Sequence, residues 1–84
     1  MPVLSRFYGI VIRMYFQQSE HNPPHFHASY GDYVAAIGIN DGVVLEGELP
    51  KKALELVREW NVIHKEELLK IWETQQFLTL SPLE

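Results

Sequence analysis

Two periods divide the chain. Between Gly9 and Gly47 apolar and polar positions alternate in short runs, and from Pro50 onward they recur every three or four residues. In the first half, Ile10, Ile12, Met14 and Phe16 alternate with Val11, Arg13 and Tyr15, which predicts a strand from Gly9 to Phe16. Polar residues from Gln17 to Asn22 read as a loop. The run His25 to Tyr30 sets Phe26, Ala28 and Tyr30 on one face and His25, His27 and Ser29 on the other. Gly31-Asp32 is a two-residue hairpin turn with glycine first. A third strand, Tyr33 to Ile39, precedes a turn at Asn40-Asp41-Gly42, and Val43 to Gly47 forms a fourth.

In the second half, Ala53, Val57, Trp60, His64, Leu68 and Ile71 make a continuous apolar stripe. Pro50 suits a first helical turn. One straight helix to Gln76 would be roughly 40 Å long at 1.5 Å per residue, which favours two helices with a break near Val62 to Lys65. The tail from Phe77 to Glu84 reads as irregular and pinned by its apolar residues. The expected fold is therefore α+β: one domain over 1–84, a four-stranded antiparallel β-meander, then one or two C-terminal helices packed on one face. Trp60 and Trp72 read as core anchors and His64 as a packed histidine. The lysines and glutamates at 51, 52 and 65–67 read as solvated helix surface.

Turn geometry converts this pattern into neighbours. A two-residue turn at Gly31-Asp32 pairs Tyr30 with Tyr33, Ala28 with Ala35 and Phe26 with Ile37, and so sets His27 opposite Ala36 and His25 opposite Gly38. At the next turn, a two-residue loop would put Glu46 beside Ile37 on the apolar face. A three-residue loop with left-handed Gly42 pairs Ile37 with Leu45 and Ala36 with Glu46 instead. That register gathers His25, His27, Ser29, Glu46 and Glu48 on the face away from the helices. If the first strand joins with its apolar residues inward, Arg13 and Tyr15 share that face.

The composition narrows the chemistry. The 84 residues are 46% hydrophobic and 12% aromatic, as in a folded globule, and contain no cysteine, so a metal site would need histidine and carboxylate ligands. A net charge of -4 argues against broad attraction to nucleic acid, while leaving room for a local basic patch. The apolar run Phe7 to Phe16 contains Arg13, lacks a cleavage site and is too short to cross a bilayer, so a cytoplasmic protein without a membrane segment is expected.

Candidate chemistry converges on His21-Asn22-Pro23-Pro24-His25-Phe26-His27. Two imidazoles two residues apart on a strand point the same way and could share a divalent metal such as zinc, with His21 or Glu46 as third ligand. Alternatively, His25 and His27 trade a proton over a phosphodiester, with Arg13 holding the phosphate and Glu46 completing a catalytic set. A third reading makes the face a protein-binding surface, and the plainest has the histidines only bracing the Pro-Pro segment.

The same segment carries a resemblance. Ser5-Arg6-Phe7, Gly9-Ile10, His21 to Ala28, Tyr30, Gly47, Leu49-Pro50, Trp60, His64, Leu68-Leu69 and Trp72 resemble a small bacterial family of unknown function marked by an HNPPHFHA motif. Members of that family are typically encoded beside another small protein, an arrangement similar to a toxin–antitoxin pair. The resemblance therefore implies a partner protein and an effector role such as RNA cleavage. With Val11, Tyr15, Val34 and Val44 on the open face, the chain is expected to form a homodimer or a complex with that neighbour. Sedimentation across a wide concentration range and a pull-down with the neighbour test this. A strict monomer that ignores its neighbour would refute it.

Overall fold

The structure is a computed structural model that describes residues 3–14 and 23–83. Its architecture is α+β: an antiparallel sheet in sequence order followed by one helix. The strands are β1 (Val3–Phe7), β2 (Ile10–Arg13), β3 (His25–Tyr30), β4 (Tyr33–Gly38) and β5 (Val44–Gly47), and the helix is α1 (Lys51–Thr74). The sheet thus has five strands among the described residues, not four. β1 escapes a period-two reading because a bulge between Val3 and Ser5 buries Leu4 and Ser5 together. The strand expected from Gly9 is β2, and Tyr15, Phe16 and the loop 17–22 lie outside the described residues. Tyr8 and Gly9, both at positive φ, form the two-residue turn that joins β1 to β2.

β3 and β4 pair in the register expected from the turn, from Tyr30 with Tyr33 to His25 with Gly38. The β4–β5 connection differs in detail. Gly38 N–H bonds to the Val43 carbonyl, so the loop holds residues 39–42, one more than expected. Ile37 then faces Val44 rather than Leu45, and a bulge restores Ala36 opposite Glu46. Val44 consequently packs on the core instead of the open face, while Leu45 turns outward.

The core lies between the sheet and α1. Phe26, Ala28, Ile37, Ile10 and Ile12 project from the sheet, and Ala53, Val57, Trp60, Leu68 and Ile71 meet them from the helix. Trp60 is the anchor at the crossing. Its ring lies 5.6 Å from Phe7 and 5.7 Å from Phe26, and its Nε1 donates to the Ser81 carbonyl at 2.9 Å. Pro50 precedes the helix as its N-cap rather than opening its first turn.

α1 is one helix, bent at His64, whose backbone leaves helical values (φ -107°, ψ 16°) inside the window where a break was expected. Straight, its 24 residues would span about 36 Å, longer than the 31 Å of the largest molecular dimension. His64 is buried as a packing residue, 5.1 Å from the Trp60 ring, with Nδ1 at 2.7 Å from Glu67 Oε1. After α1, the chain returns to the sheet: Leu80 N–H bonds to the Leu4 carbonyl, and Leu80 and Leu83 are buried.

Two substitutions test this packing. Trp60→Ala is expected to cost about 3–5 kcal/mol in urea unfolding, a large share of the stability of a domain this small. Gly47 has φ +77°, and a Cβ there would come 2.1 Å from the Val34 carbonyl oxygen. Gly47→Ala should therefore lower stability by roughly 2 kcal/mol or more, seen as a lower urea midpoint.

Candidate functional site

One row of residues crosses the open face of the sheet. Arg13 on β2 pairs with His27 on β3, His27 with Ala36 on β4, and Ala36 with Glu46 on β5. Directly paired residues in an antiparallel ladder point to the same side, so the four share a face. At about 4.8 Å per strand, the backbones of Arg13 and Glu46 stand about 5 and 10 Å on either side of His27. Small Ala36 leaves room between the imidazole and the carboxylate. His25 opens the next row, opposite Gly38.

The two imidazoles meet edge to face, with centroids 5.3 Å apart and planes at 69°. His25 Nδ1 lies 3.0 Å from the Pro23 carbonyl, and its ring sits 5.1 Å from the Trp72 ring. The structure thus supports part of the plain reading, because His25 does bond back to the proline segment. Trp72 is half-buried, packed against the core as expected and also against the His25 ring. The open face is accordingly walled at the His25 end by the last turns of α1.

His27 is half-buried, and burial lowers its pKa below the ordinary 6.5. The neighbouring His25 lowers it further, and Glu46 opposes both by favouring the charged ring. Two shallow depressions flank Ala36. One of about 390 Å³ is lined by Pro23, His25, Ala36, Leu45 and Glu46. The other, about 210 Å³, is lined by His27, Val34, Ala35, Ala36, Glu46 and Gly47. Glu46 borders both.

The structure brings His25, His27, Arg13 and Glu46 onto one face. Ser29 is there too, in the row with Val11 and Val34. Glu48 lies past the end of β5, exposed, with its N–H on the Val34 carbonyl. His21 and Tyr15 lie outside the described residues. Among the described residues no three metal-competent side chains gather, and no helix is long and apolar enough to cross a membrane.

A meander whose uncovered face carries two histidines between an arginine and a glutamate defines a small α+β domain with a polar sheet-face site. The chain belongs to the family described as Domain of unknown function (DUF4160), which matches residues 9–73. The matched span holds every described site residue and Trp72, and leaves out β1 and the C-terminal tail. No curated protein and no solved structure matches the chain.

The lowered pKa of His27 gives a pH test of the fold. Above the ordinary value of 6.5 both folded and unfolded chains keep this ring neutral. As pH falls below it, the unfolded chain takes up the proton first, so stability declines until the folded ring also protonates. His27→Gln should remove this share of the acid-side loss, read as a smaller drop in urea midpoint between pH 7.5 and pH 5. Parallel pH dependence in the two proteins would contradict the assignment.

Proposed function

We propose that the histidine face is an acid–base site for phosphodiester cleavage in RNA, the working centre of a toxin-like effector from a two-gene module. The observation that carries this reading is the direct pairing of Arg13 with His27. It puts a fixed positive charge one strand from an imidazole kept neutral by burial. In the proposed reaction the RNA 2′-oxygen attacks phosphorus and gives its proton to His27. The bond to the 5′-oxygen breaks as that oxygen takes the Nε2 proton of protonated His25, which is left as the neutral ring. Arg13 offsets the charge gathering on the phosphoryl oxygens. Glu46 favours the imidazolium that His27 becomes.

A second reading has one observation in its favour. Val34 and Leu45 are 49% and 44% exposed beside the row, as on a surface that receives a partner protein. The homodimer or neighbour complex belongs to this reading. A zinc-like divalent metal on His25 and His27, with His21 as a further ligand, is the remaining use of the same imidazoles.

The test is incubation of untagged protein with single-stranded RNA, with and without chelator, followed by analysis of the product ends. Cyclic 2′,3′-phosphate termini are expected, with an acid limb of kcat/KM below pH 6.5. His27→Ala should reduce cleavage about 10²–10⁴-fold, and Arg13→Ala by at least tenfold. Intact RNA under every condition, together with tight capture of the neighbouring protein, would replace the enzyme reading with the binding one. Activity abolished by chelator and restored by zinc would assign the imidazoles to a metal.

A further inference from the structure

A chain of hydrogen bonds runs from the helix to His25. Asn61, buried on α1, donates from Nδ2 to the Ile39 carbonyl at 3.0 Å. Ile39 N–H donates to the Pro24 carbonyl at 3.0 Å. The preceding carbonyl, that of Pro23, faces His25 Nδ1 at 3.0 Å. The links fall on neighbouring peptide units, 39–40 and 38–39 on one segment and 24–25 and 23–24 on the other, so each restrains the backbone beside the next. Pro23 and Pro24 add stiffness, because each ring locks its own φ and Pro24 confines Pro23 to extended backbone. The Pro23 carbonyl therefore has little freedom to turn away from the ring.

That contact has a chemical consequence. A carbonyl oxygen only accepts, so the neutral His25 ring must carry its proton on Nδ1 for the bond to exist. The lone pair then belongs to Nε2. The ring is also fixed from two other sides, by Trp72 at 5.1 Å and by His27 at 5.3 Å. Three contacts of different kinds leave one ring nitrogen for chemistry.

We propose that the Asn61–Ile39–Pro24–Pro23 relay holds neutral His25 as its Nδ1–H tautomer and presents Nε2 as the nitrogen that exchanges protons with a bound phosphodiester. Asn61 and Trp72 are positioning residues in this arrangement. The exchange step rests on the acid–base reading above, whereas the tautomer stands apart from it. The role of the double proline is then to aim a carbonyl.

Two-bond proton–nitrogen NMR correlations of the histidine rings, recorded at pH 8 on the full chain, give the primary test. His25 should show one dominant pattern, that of the Nδ1–H form. An Nε2–H pattern, or an even mixture, overturns the proposal whatever RNA does. Two replacements separate the nitrogens. In His25→Asn the amide nitrogen stands where Nδ1 was and keeps the bond to Pro23. In His25→Gln the amide nitrogen reaches toward the Nε2 position. His25→Asn should retain the wild-type urea midpoint yet lose cleavage at least 100-fold, and wild-type cleavage by it would refute the Nε2 assignment.

Trp72→Ala and Asn61→Ala, each checked for a native amide spectrum, should broaden the single tautomer into a mixture and lower kcat more than they change KM. Trp72→Phe should restore both readouts. An unchanged tautomer in both alanine variants would remove the positioning roles. If wild-type protein leaves RNA intact while His25 shows the Nδ1–H pattern, the tautomer is upheld and only the reaction assigned to Nε2 falls.

Discussion

The parity of the β3–β4 hairpin is the constraint on which the structure depends. A two-residue turn at Gly31-Asp32 leaves no choice of partner for the twelve strand residues around it. Slipping β3 by one residue against β4 would turn Phe26 and Ala28 to water and drive His25 and His27 beneath α1. Both halves of that exchange are unfavourable, the first by loss of apolar burial and the second by desolvation of two imidazoles. The core and the site are therefore two sides of one decision. Neither face can be altered in register without destroying the other.

The bend at His64 links that sheet to the helix in two different ways. Before the bend, Asn61 and Arg58 reach the β4–β5 loop, with Arg58 Nε donating to the Gly42 carbonyl at 2.9 Å. After it, the helix swings so that Trp72 reaches the end of β3 at His25. One element thus fastens a loop with its first half and walls the site with its second. His64 Nδ1 meets Glu67 Oε1 one turn on, so the polar contact at the bend is made within the helix itself.

Much of this was legible in the alternation of single residues. His25 to Tyr30 and the glycine-first turn specified β3, β4 and their register, and Arg13 fell on the histidine face once Ile10 and Ile12 were turned inward. The pairing of Ala36 with Glu46 was also recoverable, although through a route the sequence does not display. The loop takes in Ile39, shifting the ladder by one, and the bulge at Leu45 shifts it back. Two local irregularities cancel at Glu46 and leave their mark on Val44 and Leu45, whose sides are exchanged. β1 was hidden by the same physics, since a bulge abolishes the period that identifies a strand. Trp72 packs against the core as its spacing suggests, but its contact with His25 depends on the bend at His64, which the apolar stripe does not display. The His25–Pro23 contact is not legible in the spacing, which does not say which way a carbonyl points.

The residues after α1 do more than close the core. β1 is an outer strand, and its free side is a row of backbone groups able to accept another molecule's strand. The tail occupies part of that side, with Leu80 on the Leu4 carbonyl and Ser81 tied to Trp60. The largest fully buried side chain of the core thereby holds the flap that covers the sheet's margin. Loosening the core around Trp60 would also lift that flap and uncover the strand at the moment the fold is weakest. In this domain, resistance to unfolding and resistance to strand-to-strand self-association are coupled through one indole.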